Sequence, residues 1–313
     1  AGGGTWADAA SNYNVAIGNY SMDAALNGAL YNIAMGYNSL TALTTGDANV
    51  SIGYGAGYAL TTGYSNILIG RAAGDAGTDM TDTVIIGHYA GSSINTNNSQ
   101  GSVLIGSEAG TNQTGGVNTF IGYHAGRNNR TGTYNTTVGF EAGMHATASS
   151  NTFMGYQAGK GGTTSAPFSS GGNNTAVGYL ALTVFTAAGN NTAIGYESSK
   201  GITIGSDNVS LGYKALYSED VGSRAVAIGS HALYTQNMDS DYEISNIGIG
   251  YYAGGYNVTG VQNTYIGYQA GLGASGQSNS YNVGIGHHSL LSITTATSNV
   301  AVGVNSADAL TTG

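Results

Sequence analysis

The feature that most constrains this chain is a glycine that returns, usually every seventeen residues, along a sequence of 313. It stands at Gly18, Gly36, Gly53, Gly70, Gly87, Gly106, Gly122, Gly139, Gly155, Gly178, Gly195, Gly212, Gly229, Gly250, Gly267, Gly286 and Gly303. Around it one motif is rewritten seventeen times, and Asn118 to Gly126, NTFIGYHAG, is a clear copy. With the glycine placed fifth, the motif reads N-[V/I/T]-x-[I/V/M/L]-G-Y-x-[A/S]-[G/L], followed by a polar connector. A short fixed period of this kind means segments that cannot bury their own faces and must stack on their neighbours.

A coil of this length, at about 3.3 Å per residue, has a circumference of only about 55 Å, so its interior holds a single file of side chains. Stacked at about 4.8 Å, such coils would make a rod about 80 Å long in which each strand pairs with the next. The predicted fold class is therefore all-β: a parallel β-solenoid of about seventeen coils. Residues 1–11 read as a leading segment and residues 12–313 as one continuous repeat domain. The final LTTG also occurs between copies, at Leu43–Gly46 and Leu60–Gly63, so the chain reads as a segment cut from a longer fibre.

Within the motif, position four is never polar, and position two is Val or Ile in most copies and Thr in the rest. That alternation predicts that positions two and four share the core face of a strand, with Ile121 and Ile194 as core residues. Position three would then point outward. Its large members, Leu68, Ile85, Leu104, Phe120, Phe153 and Tyr265, would form an apolar line covered by a partner chain. Position eight is Ala or Ser in every copy, Ala125 among them, which marks a close approach of backbone. The fifth-position glycines, such as Gly122, Gly139, Gly155 and Gly195, permit the positive φ that a tight corner demands. Position one is Asn in most copies, including Asn118, Asn135, Asn151 and Asn191. Stacked amides there would form a hydrogen-bonded ladder that sets the register.

Composition excludes several classes of function. Charged residues make up 7% of the chain, against roughly a quarter in an ordinary globular protein, while there are 53 Gly and 23 Tyr. A net charge of -9 with seven Lys plus Arg lacks the cationic surface needed for nucleic acid or anionic lipid. No apolar run is long enough to cross a membrane as a helix, and the absence of Cys removes disulfides and thiolate metal sites. No cofactor is expected.

Position six carries a tyrosine stripe that reads either as packing or as an exposed binding face. For a sugar ligand the candidate residues are Tyr123, Tyr156, Tyr196, Tyr251 and Tyr268, with Phe168 in the longest connector, Lys160–Asn173. Asp239, Asp241 and Glu243 in a second long connector are weak candidates for Ca²⁺, set against the plainer reading of a solvated acidic loop. The six histidines show no metal-ligand spacing. Glu108 and Glu141 would lie two coils apart, near 10 Å, the upper end of the spacing in an inverting glycosidase. No connector groups a nucleophile, a base and an orienting acid, so the chain is not read as an enzyme. Thr at position two in neighbouring copies, Thr119 to Thr192, would suit an ice-binding array only if that face were outward.

NVAIG at Asn14–Gly18 and AVAIG at Ala225–Gly229 resemble the head repeats of trimeric autotransporter adhesins. NTFIGYHAG at Asn118–Gly126 and NTYIGYQAG at Asn263–Gly271 are similar to repeats in bacteriophage tail-fibre shafts. The resemblance implies a left-handed parallel β-roll that trimerises side by side, on a virion surface or a bacterial cell surface, with identical chains and cell-surface glycans as partners. The period here is longer than that of the adhesin heads. The function expected is a structural and adhesive segment of a phage tail fibre. The alternatives are a bacterial surface adhesin or self-assembling extracellular filament, and a polysaccharide-cleaving tailspike.

Overall fold

The fold, seen in a computed structural model, is an all-β parallel β-solenoid with a repeat of about seventeen residues. The structure describes residues 11–312 apart from 95–99, 163, 164, 166, 167, 239, 241 and 242. The chain divides into two compact units, Ala1–Asn151 and Thr152–Gly313. The first carries β1 (Val15–Ile17), β2 (Ile33–Met35), β3 (Val50–Ile52), β4 (Ile67–Ile69), β5 (Val84–Ile86), β6 (Val103–Ile105), β7 (Thr119–Ile121) and β8 (Thr136–Val138). The second carries β9 (Thr152–Met154), β10 (Thr175–Val177), β11 (Thr192–Ile194), β12 (Val209–Leu211), β13 (Val226–Ile228), β14 (Ile247–Ile249), β15 (Thr264–Ile266), β16 (Val283–Ile285) and β17 (Val300–Val302).

Within each unit every strand pairs in parallel with the next, like position on like position: Val15 on Ile33 and Ile17 on Met35, or Thr192 on Val209 and Ile194 on Leu211. The rest of the coil is turn, yet its backbone is also laddered. Met22 N–H donates to the Ser39 carbonyl at 3.1 Å, and Asn27 N–H to the Thr44 carbonyl at 2.7 Å. Each coil thus satisfies groups that a lone coil would leave bare. The fifth-position glycine is required twice over. Gly122 sits at φ +136°, outside the range open to L side chains, and a Cβ on it would run into the carbonyl oxygen of Gly139 one coil on.

The strand faces are the reverse of those predicted. Position three points inward: Leu68, Ile85, Leu104 and Phe120 in the first unit, and Phe153, Ala176 and Tyr265 in the second, have no exposed surface. Positions two and four point outward, and Ile121 and Ile194 are half-exposed rather than core. The line expected to need a partner is itself the core, which it shares with the small residue at position eight and with position nine.

Volume is exchanged between positions three and nine. Where three is large, nine is glycine, as in Leu68 with Gly74, Phe120 with Gly126, Phe153 with Gly159 and Tyr265 with Gly271. Where three is small, nine is often large, as in Ala34 with Leu40, Ala176 with Leu182 and Gly284 with Leu290. A Cβ on Gly126 would strike the Phe120 ring, so the glycine is the space the ring fills. In the coil of β14 both positions are glycine, Gly248 and Gly254. There Leu233 from the coil before crowds both, and Tyr265 from the coil after also reaches Gly254. A core one side chain thick keeps its density by such exchanges, within a coil or between neighbours.

Position one forms the amide ladder. Asn135 donates through its backbone N–H (2.8 Å) and through Nδ2 (3.2 Å) to Asn118 Oδ1, and Asn135 Oδ1 accepts from Asn151 N–H at 2.9 Å. In the second unit Asn191 does the same to Asn174 at 3.0 and 3.2 Å, while its Nδ2 also donates to the Gly205 carbonyl at 2.9 Å. Where the asparagine is lost to Ser102 or Ala225, a fully buried glutamine crosses the core instead. Gln113 Nε2 donates to Ser102 Oγ at 2.9 Å, and Gln236 Oε1 accepts from Asn246 Nδ2 at 2.7 Å.

Candidate functional site

Because positions two and four face outward, the strand face presents two parallel columns of Val, Ile, Met, Leu and Thr. Exposure along it reaches 37% at Ile52, 46% at Met154 and 44% at Leu211. Within the first unit the strands β1 to β6 pair like position on like position, and their outward columns are wholly apolar. Contiguous exposed apolar surface of this kind marks a contact site. Thr119 and Thr136 in the first unit, and Thr152, Thr175 and Thr192 in the second, also face outward, half-exposed, so within each unit the orientation an ice-binding array requires is met although the sequence pointed the other way.

Directly after the glycine, position six builds an exposed aromatic column. In the second unit Tyr156, Tyr179, Tyr196 and Tyr213 stack at centroid distances of 5.1, 5.0 and 5.2 Å, with interplanar angles of 8–12°. Tyr251, Tyr268 and His287 continue the pattern at 5.2 and 5.1 Å. In the first unit Tyr37 stacks on Tyr54 at 5.3 Å, and Tyr123 on Phe140 at 5.2 Å. Each tyrosine of the column remains exposed by more than two-fifths. The geometry limits what these rings can do. A sugar stacks on a ring face, and in the column the faces are taken by the rings above and below. Tyr123, Tyr196 and Tyr268, with a ring stacked on each face, therefore offer solvent mainly edges and hydroxyl groups, whereas Tyr251, beside Ser230, is stacked on one side by Tyr268, and Tyr156 stacks on Tyr179.

The column is interrupted at Arg71 and again where position six is Ser107 or Ser230, and each of the two serine breaks brings an imidazole beside the gap. His124 lies 3.7 Å from the Tyr123 ring, on the face that Phe140 leaves free. His231 meets Tyr213 and Tyr251 edge-on, at 5.2 and 6.5 Å. Burial lowers both imidazole pKa values. For His124 the Glu108 carboxylate, 3.3 Å away, opposes that shift in part; for His231 the positive Lys214 adds to it.

Of the carboxylates singled out in the sequence, Glu108 and Glu243 are engaged by cations. Glu108 lies 2.8 Å from Arg127 Nε, and Glu197 lies 2.6 Å from Lys200 Nζ and 3.5 Å from Lys214 Nζ. Glu243 pairs with Arg224, whereas Asp239 and Asp241 lie outside the described residues. Among the described residues no three metal-ligating side chains gather. Phe168 is half-buried in its connector, next to Ser169, whose hydroxyl donates to the Phe185 carbonyl at 2.8 Å.

A second aromatic group went unread in the sequence. Tyr217 and Tyr234, at position ten of successive coils, stack at 5.4 Å, and His231, Tyr252 and Tyr256 adjoin them. The available signal was the appearance of Lys or Tyr at a connector position that holds Thr, Ser or Asp in many other copies. No protein-family model, curated protein or solved structure matches this chain.

Proposed function

We propose that this chain is a structural and adhesive segment of a fibre, of the phage tail-fibre kind, in which identical chains associate side by side and present the shaft to a host-surface glycan. The observation that carries this reading is the outward apolar face, with Val, Ile, Met or Leu at position four of every coil. Selection for solubility alone would place polar residues there, and the core gains nothing from them. The association expected is a homotrimer, as the resemblance to adhesin-head and tail-fibre repeats implies, with the chain outside the cell or on a virion.

The test is the mass in solution by light scattering at several concentrations, for the native chain and for Ile52→Lys/Ile69→Lys/Ile86→Lys. The expected result is a trimer that the triple variant reduces to a folded monomer with an unchanged circular dichroism spectrum. A native monomer would overturn the side-by-side association and leave the threonine-bearing face to be assayed for ice recrystallisation inhibition. Growth without limit as concentration rises would favour a self-assembling filament instead.

A further inference from the structure

The regular tyrosine column and the cluster beside it differ in ring orientation, and the difference matters for sugars. In the column successive tyrosines stack nearly parallel. In the cluster the interplanar angles are 73° for His231 with Tyr234, 66° for Tyr234 with Tyr252 and 74° for Tyr251 with Tyr252. In an edge-to-face pair the ring that supplies its edge keeps both faces clear of that partner. The cluster mixes these edge contacts with two stacked pairs, Tyr217 on Tyr234 and His231 on Tyr252, so its rings do not form one continuous face-to-face pile, and Tyr217, Tyr234, Tyr252 and Tyr256 are all half-exposed.

The cluster also gathers scarce positive charge. Of only seven Lys plus Arg in the chain, Lys214 lies over the Tyr213 and Tyr217 rings at 5.5 and 5.1 Å, and Lys200 over Tyr217 at 5.5 Å. Glu197 bridges both ammonium groups but sits behind them, its side chain 10% exposed against 30% for Lys200 and 23% for Lys214. An approaching ligand meets the cations first, and one of the two positive charges is left uncompensated by Glu197. His231, neutral near pH 7, stacks on Tyr252 at 4.5 Å and adds ring surface without charge.

Resting on the adhesive reading above, we propose that this corner, formed by Lys200, Lys214, Tyr217, Tyr234, Tyr252 and Tyr256, binds a carboxylated pyranose within a glycan. Ring faces take the C–H side of the sugar, and Lys214 takes the carboxylate. The overall charge of -9 disfavours dense polyanions, so spaced uronates suit the site better than a phosphate polymer.

The test titrates the full chain with a hyaluronan tetrasaccharide, which alternates uronate and N-acetylhexosamine, and with chitotetraose, which has no uronate, following tyrosine ring signals by NMR. Hyaluronan is expected to bind more tightly than chitotetraose. Lys214→Gln should abolish that preference, and Tyr234→Ala should weaken both sugars by about tenfold. Tyr234→Phe, which keeps the ring, should bind as the native chain does, so loss of fold is told apart from loss of a face. Tyr179→Ala, in the regular column, should change nothing. Equal binding of the two sugars by the native chain, or indifference of hyaluronan binding to Lys214→Gln and Tyr234→Ala, would overturn the site. Failure of the native chain to bind hyaluronan would do the same; if an array of neutral and acidic host-type glycans also retained nothing, the adhesive reading would fall with it.

Discussion

The inner and outer sides of the same three-residue strand obey opposite rules. Inward, position three ranges from Gly284 to Tyr265, and its large and small members are in many coils answered at position nine or in a neighbouring coil. Outward, positions two and four hardly vary, and nothing inside the coil answers to them. In a solenoid this thin, compensated variation marks the core, and unvarying hydrophobicity marks a surface that meets something beyond the chain.

The sharpest way to break that comparison is to disturb one coil from both sides. Phe120→Ala should cost about 3–5 kcal/mol in urea unfolding, because the ring fills the slot that Gly126 leaves open. Adding Gly126→Leu should recover much of the loss by recreating the Ala176 and Leu182 arrangement, whereas Gly126→Leu alone should be destabilising through overpacking. Ile121→Ala, on the outer side, should cost about 1 kcal/mol or less in the dissociated chain and more as protein concentration rises. A cost for Ile121→Ala equal to that of Phe120→Ala at every concentration would refute the assignment of faces.

A smaller effect sharpens the inner side, where polar groups are tolerated only when paired. Gln236→Leu should cost about 1–3 kcal/mol, because it removes the acceptor that Ala225 cannot provide to Asn246. Ala225→Asn in the same chain should restore part of that stability by completing the ladder. No recovery would mean that the glutamine serves packing alone.

The smallest expected effect is a pH slope from Glu219, fully buried at an inward connector position. Its Oε1 accepts from the backbone N–H of Gly222 at 2.7 Å and of Asp220 at 3.1 Å, while Oε2 has no partner. Burial raises its pKa above the usual 4.5, against the pull of those backbone donors. The folded state therefore holds a proton that the unfolded chain releases. Stability from this group is complete below about pH 4.5 and declines as pH rises toward the folded pKa. Glu219→Gln should remove that slope from unfolding curves measured between pH 4 and 8, and a slope that survives the substitution would assign it elsewhere.

Much of the architecture was legible because it rests on repetition. The glycine spacing and the small residue at position eight point to coils stacked in register, and the structure has them. The direction of the strand faces was not legible from the strand alone. Val-x-Ile around an alanine has the alternation of a half-buried strand, and nothing in three residues says which half is buried. The missing signal lay six residues away, in the exchange between Phe120 and Gly126 or between Ala34 and Leu40. The aromatic corner was harder still, since Lys214, His231 and Tyr252 sit at motif position seven, Tyr217 and Tyr234 at position ten, and they meet only through contacts with rings of neighbouring coils.

The asparagine ladder has one more consequence. Its bonds from asparagine to asparagine run one way: the earlier asparagine offers an amide oxygen that the next fills with its backbone N–H and often its side-chain Nδ2, as Asn32 does for Asn49 and Asn174 for Asn191. The ladder therefore has a direction, with its donors pointing toward the preceding coil and its acceptors toward the following one. During synthesis the earlier coil is already in place with its acceptor set, and the next stretch of chain has a docking point as soon as it is released. Translation would then lay the solenoid down as a template copied forward, each turn casting the mould for the one that comes after.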